Sequence, residues 1–193
     1  YHGHVADVDL AIWRGAYTVK GIEIQKVNTP DELPFFEADR LDISLEWKAL
    51  MDGALVGEVV FLRPTLRFVQ DEEEQQLGDD GGWAETLRSL VPVKMNRLEA
   101  IDGELSYRSQ RELAMPDLEI HDFRLVARNI TNARSDARGL PSAIEASGSV
   151  INGAELALRG RFDLLTEEPA MDASLTCEGV DLVELNPFLR RKA

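Results

Sequence analysis

The chain has 193 residues, of which 44% are apolar, enough for one folded unit and short for two independent cores. Its 35 acidic and 21 basic residues give a formal charge of −14, which argues against nucleic acid or an anionic bilayer as the main contact. Cys177 is the only cysteine and cannot close an internal disulfide, and no apolar run reaches the ~18 residues a membrane-spanning helix needs.

In chain order, Val8, Leu10 and Ile12 alternate with Asp7, Asp9 and Ala11 up to Gly15, which is the period of a strand. A second strand carries Tyr17 and Val19, and its apolar parity changes around Gly21 to Ile22 and Ile24, the mark of a bulge. The proline-bearing stretch 28–34 is a loop. Leu41 to Phe68 then reads as two strands around a reversal at Met51–Asp52–Gly53–Ala54. Leu41, Ile43, Leu45 and Trp47 share one face of the first. Val60, Leu62, Pro64, Leu66 and Phe68 share one face of the second.

Gln70 to Gly82, with its DEEEQQ and GDDGG runs, is expected to be a solvated, mobile loop. Trp83 to Val91 is expected to be a two-turn helix closed by Pro92. Strands resume at Val93 and Met95, at 98–107 and at 118–127. Ile144 to Val150 and Leu156 to Leu164 form a hairpin around Asn152–Gly153, the strongest turn signal in the chain. Met171, Ala173, Leu175 and Cys177 make a ninth strand, with Cys177 expected in the core. A short helix over Asp181 to Leu189 is expected to end the chain.

The expected fold is therefore mainly β: one unit over residues 1–193, a long curved antiparallel sheet with one or two short helices. Two helices of two turns cover roughly 10–15 Å each, whereas nine strands about 4.8 Å apart span some 40 Å. The helices cannot cover the apolar face. It must curl on itself, pack on a second sheet as in a closed sandwich, or remain an apolar trough. Parity places Leu10, Ile12, Leu45, Trp47, Leu156 and Leu158 together on that face.

The phrases LEAIDGELSY (98–107), LEIHDFRLVARNITN (118–132), LPSAIEASGSVINGAELALRGRFDLL (140–165) and VDLVELNPFL (180–189) repeat a strand, short loop, strand pattern. Together with Gly15, Tyr17, Gly21, Pro34, Trp47, Gly53 and Pro64, this phrasing resembles the AsmA-like family of bacterial envelope proteins, over nearly the whole chain. The resemblance implies a periplasmic β-groove, taco-like in section, which binds or conducts phospholipid acyl chains between the inner and outer membranes of Gram-negative envelopes. It also implies anchoring to the inner membrane by an N-terminal helix. That helix is absent from this sequence, which is expected to be part of a longer protein. The second expectation is an envelope scaffold or assembly module that pairs with itself or with other envelope proteins through raw sheet edges.

An enzyme is not expected, and neither is a cofactor. There is no phosphate loop, nucleotide fingerprint or Ser-His-Asp spacing. His2, His4, Asp7 and Asp9 could be drawn as a metal cluster, but they lie at the very start of the chain and a site there is not expected. His121 lies between Ile120 and Asp122 on the polar parity of its strand and reads as a solvated histidine. The acidic run 71–74 lacks the alternating ligands and turn glycine of a calcium loop.

Overall fold

The computed structural model describes residues 2–11, 13, 15–25, 34–52, 55–70, 93–109, 118–131, 140–150, 153–163 and 170–180. They form nine strands: β1 (His2–Ala11), β2 (Ala16–Gln25), β3 (Phe36–Leu45), β4 (Leu55–Gln70), β5 (Val93–Ser109), β6 (Leu118–Thr131), β7 (Ser142–Val150), β8 (Ala154–Asp163) and β9 (Ala170–Glu178). A single helix turn, α1 (Trp47–Met51), joins β3 to β4. The strands lie in sequence order in one sheet that does not close, so the mainly-β groove expectation holds. The expected helices over 83–91 and 181–189, the acidic loop from residue 71 onward and Ile12 lie outside the described residues.

Two details depart from the sequence reading. The sheet is mixed, because β4 and β5 run parallel while every other neighbouring pair is antiparallel. A parallel pair needs a crossover of about a dozen residues or more, and residues 71–92 supply that length where other connections are too short. Secondly, Trp47 does not continue the alternation of β3 but opens α1. The phrase Trp47–Lys48–Ala49–Leu50–Met51 contains four strong helix formers, and this local preference overrides the alternation. The Asp52 amide donates to the Lys48 and Ala49 carbonyls at 3.2 and 3.1 Å, closing the turn.

A crease crosses the sheet. Gly21, Arg63, Asp102 and Asp122 hold left-handed backbone, with φ of 59°, 47°, 53° and 50°. In β2 and β4 these residues fall between the same flanking rows: Lys20 pairs with Arg40 and Arg40 with Leu62, while Ile22 pairs with Ala38 and Ala38 with Pro64. Along this line the apolar spacing steps by three instead of two on each of six strands. The steps run from Val5 to Val8, Val19 to Ile22, Ala38 to Leu41, Phe61 to Pro64, Ala100 to Gly103, and Ile120 to Phe123. In an unbroken pleat a step of three would throw the second set onto the opposite face. On β2, β4, β5 and β6 a left-handed residue absorbs the extra position as a bulge does and bends the strand, and β1 and β3 follow their partners in register, which keeps both sets on one face.

The Phe36 and Phe61 rings establish that face and the direction of the bend. Phe36 pairs with Leu66, five residues from Phe61 along β4, which is about 17 Å on a straight strand. Their ring centroids are nevertheless 5.7 Å apart at 87°. Residues on opposite sides of the crease can meet so closely only if the strands fold there with the apolar face inside. The sequence reading of β4 is corrected accordingly: Val59 and Phe61, not Val60 and Leu62, share a face with Pro64 and Leu66.

Candidate apolar trough

Cross-strand register assembles the inner face into rows that run across the sheet. One row passes through all nine strands as Val8, Val19, Leu41, Phe61, Ala100, Leu125, Ala146, Leu158 and Leu175. The next begins at Leu10 and Tyr17 and ends at Gly160 and Ala173, and the Tyr17 hydroxyl is the only polar side-chain group in either row. Beyond the crease, a row from Gly3 and Ile24 through Phe36 and Leu66 to Leu105 and Ile120 forms the facing wall. The floor between the walls is tight. Ile22 and Ala38 are buried there, and a Cβ on Gly103 would stand 2.9 Å from the Pro64 carbonyl oxygen.

No member of the nine-strand row is buried: its seven inner residues are half-buried, and Val8 and Leu175 are exposed. In a closed sandwich this central row would be core. Among the described residues the buried apolar side chains are Ile22, Ala38, Ala127, Val150, Ala154 and Phe162, half of them alanines. The sheet is thus an open trough with apolar walls.

The sequence-selected residues fall out as follows. Leu10 (58% exposed), Leu45, Leu156 and Leu158 share the parity of the trough rows on their strands. Leu10 pairs with Tyr17, Leu45 with Gly57, Leu156 with Gly148, and Leu158 with Ala146. Trp47 stands at the rim in α1, its indole nitrogen 3.1 Å from where a Gly15 Cβ would lie. Cys177 pairs with Leu156 on the trough face but is exposed, because nothing among the described residues covers β9; the core expectation fails for that reason. Val59, Phe61 and Phe36 were missed because an alternation taken as unbroken put the first two on the wrong face. The step of three was the signal that could have found them.

The outer face carries the charge. Lys20 binds Asp9 at 2.7 Å and Asp7 at 3.2 Å, and the hydrogen bonds its ammonium donates to these two carboxylates, Asp9 foremost, raise its pKa. Both aspartates are thereby engaged by a cation, and no group of three or more potential metal ligands occurs among the described residues. Asp42 accepts from the Thr18 hydroxyl at 2.6 Å and from Arg40 at 2.9 Å. Burial pushes its carboxyl up, but the Thr18 and Arg40 contacts outweigh this and hold it below the usual carboxylate range. His121 is solvent-exposed, with Glu119 at 3.6 Å and Glu104 at 4.0 Å. The outer strands β1 and β9 are exposed along their whole length.

A sheet folded about a transverse crease, apolar within and charged without, defines the class of this chain as an open β-trough. No family model matches the sequence, and no curated protein matches it closely enough to count as a relative.

Proposed function

We propose that the trough holds or conducts the acyl chains of phospholipid in the bacterial periplasm, as a segment of an inner-membrane-anchored protein that links the two envelope membranes. The observation that carries this reading is the nine-strand row, uncovered among the described residues and with no polar side chain in it. A peptide lying there would lose water from its amides and find no side-chain partner in the row, at a cost of several kcal/mol per group. A hydrocarbon chain has no such groups to satisfy. The headgroup stays in water at the open side, and the acidic outer face keeps the sheet soluble and off anionic membrane surfaces.

The purified protein tests the reading directly: its organic extract, analysed by mass spectrometry, should contain phospholipid in an amount that scales with protein. An extract without lipid from protein prepared from a lipid-bearing membrane fraction overturns it. The scaffold reading is favoured by a separate observation, the exposure of β1 and β9. Edge strands this long and uncharged on one face pair readily with other strands. Light scattering across a concentration series reads that pairing, and a strict monomer rules it out for self-association.

A further inference from the structure

We infer that the Phe36–Phe61 pair is a sill across the trough floor, which divides the apolar lane into a long compartment over β5–β9 and a short one over β1–β2. This rests on the acyl-chain reading. The two rings come from opposite walls and meet edge to face at 5.7 Å, so at β3–β4 the angle of the crease is filled by aromatic side chains. One strand further on, the position of Phe61 is taken by Ala100 and that of Leu66 by Leu105, and the next inner-face ring, Phe123 on β6, stands opposite Gly103 with Leu105 and Ile120 on the wall across from it, so no second pair of rings closes the angle there. A hydrocarbon chain lying along the rows must therefore rise over the pair and give up contact with the floor. The compartment over β5–β9 spans about 19 Å across its strands, whereas that over β1–β2 spans about 5 Å. Only the longer one accommodates most of an extended acyl chain, and it is there that a chain settles.

The test is photolabelling of the whole chain by palmitate carrying a diazirine at its terminal carbon, with the labelled residues mapped by mass spectrometry and excess palmitate as competitor. Wild type should be labelled at Leu98, Leu125 and Leu158 and sparsely at Val8 and Val19. Phe61→Ala removes the sill and should shift label onto Val8 and Val19. The converse variant Ala100→Phe raises a second sill in the long compartment, and should move label away from Leu98 toward Leu158. This second variant keeps the test decisive where Phe61→Ala does not fold. Labelling spread evenly from Val8 to Leu175 in wild type, or folded variants labelled like wild type, overturns the sill and leaves the lipid reading standing. No competable label on the trough face of the wild type overturns the lipid reading and the sill with it.

Discussion

Arg63 holds left-handed backbone, with φ of 47°, while its Nε donates to the Asp39 carboxylate at 2.7 Å on the neighbouring strand. A non-glycine residue in this conformation costs roughly 1–2 kcal/mol, and an ion pair with both partners more than half exposed returns about 0–1 kcal/mol. The backbone term is the larger. Arg63→Gly is therefore expected to be neutral or to stabilise by up to about 1 kcal/mol, despite losing the ion pair. Arg63→Val keeps the strain, adds a β-branched side chain that tolerates it worse, and should destabilise by about 1–2 kcal/mol. Urea unfolding of the two variants decides the order; a glycine variant less stable than the valine variant would contradict the crease.

The same crease explains what could and could not be read from the sequence. The strands were legible, because alternation persists over each arm and the turn between β7 and β8 falls where a glycine allows it: Gly153 has φ of 78°. The parity change at Gly21 was legible too, since glycine advertises a left-handed position. Its counterparts at Arg63, Asp102 and Asp122 were not, because arginine carries no sign of its own and the aspartates, which tolerate positive φ, mark the bend only when taken together with the step of three in the apolar spacing. The trough residues Leu10, Leu45, Leu156 and Leu158 lie on arms whose alternation is unbroken between them and their row, and there period two sufficed. On β4 one continuous pattern was read across the crease, and Phe61 was lost with it. The parallel β4–β5 pair is a long-range choice that no local pattern encodes.

Gly15 anchors the rim at α1. It is buried, with φ of 61°, it accepts from the Leu45 amide at 2.7 Å, and a Cβ there would stand 2.3 Å from the Leu45 carbonyl oxygen. Backbone must move to admit a methyl group, and the left-handed conformation is disfavoured besides. Gly15→Ala should lose at least about 2 kcal/mol in denaturant unfolding. At Gly153, also left-handed but with nothing within 4 Å of the would-be Cβ, the same change should cost only the backbone term of about 1 kcal/mol. Equal losses at the two sites would refute the role given to the Gly15–Leu45 contact.

Asp42 links the outer face of β2 and β3 to pH. Its folded pKa is depressed below the ordinary 3.8 by the Thr18 hydroxyl and Arg40 against an opposing burial effect. A depressed carboxylate contributes stability that is complete above the unfolded pKa and is lost as pH falls through the folded one. The expected signature is a loss of stability below about pH 4, part of which disappears in Thr18→Val. At neutral pH that variant should lose at most about 1 kcal/mol, the worth of one partly exposed hydrogen bond. Thermal unfolding of both proteins between pH 3 and 7 measures it, and parallel curves would show that Thr18 does not hold the carboxylate.

Leu158→Asp separates an open trough from a closed core most sharply. Leu158 pairs with Ala146 and with Leu175 in the uncovered row, one strand in from its β9 end, and it is half-buried. In a sealed interior an unpaired carboxylate costs several kcal/mol, enough to unfold a domain whose whole stability is about 5–15 kcal/mol. In the trough the carboxylate swings toward the open side and reaches water, so the fold should survive with a loss of about 1–2 kcal/mol from the missing leucine contacts. An acyl chain does not tolerate the change, because a charge in its path removes apolar contact and draws in water. The variant should therefore keep its circular dichroism spectrum while the lipid in its extract falls well below wild type. Leu158→Ala, which shortens the side chain without adding charge, should retain most of the lipid and shows that charge, not lost volume, is the cause. A variant that unfolds, or one that stays folded and carries as much lipid as wild type, would place the acyl chains somewhere other than this row.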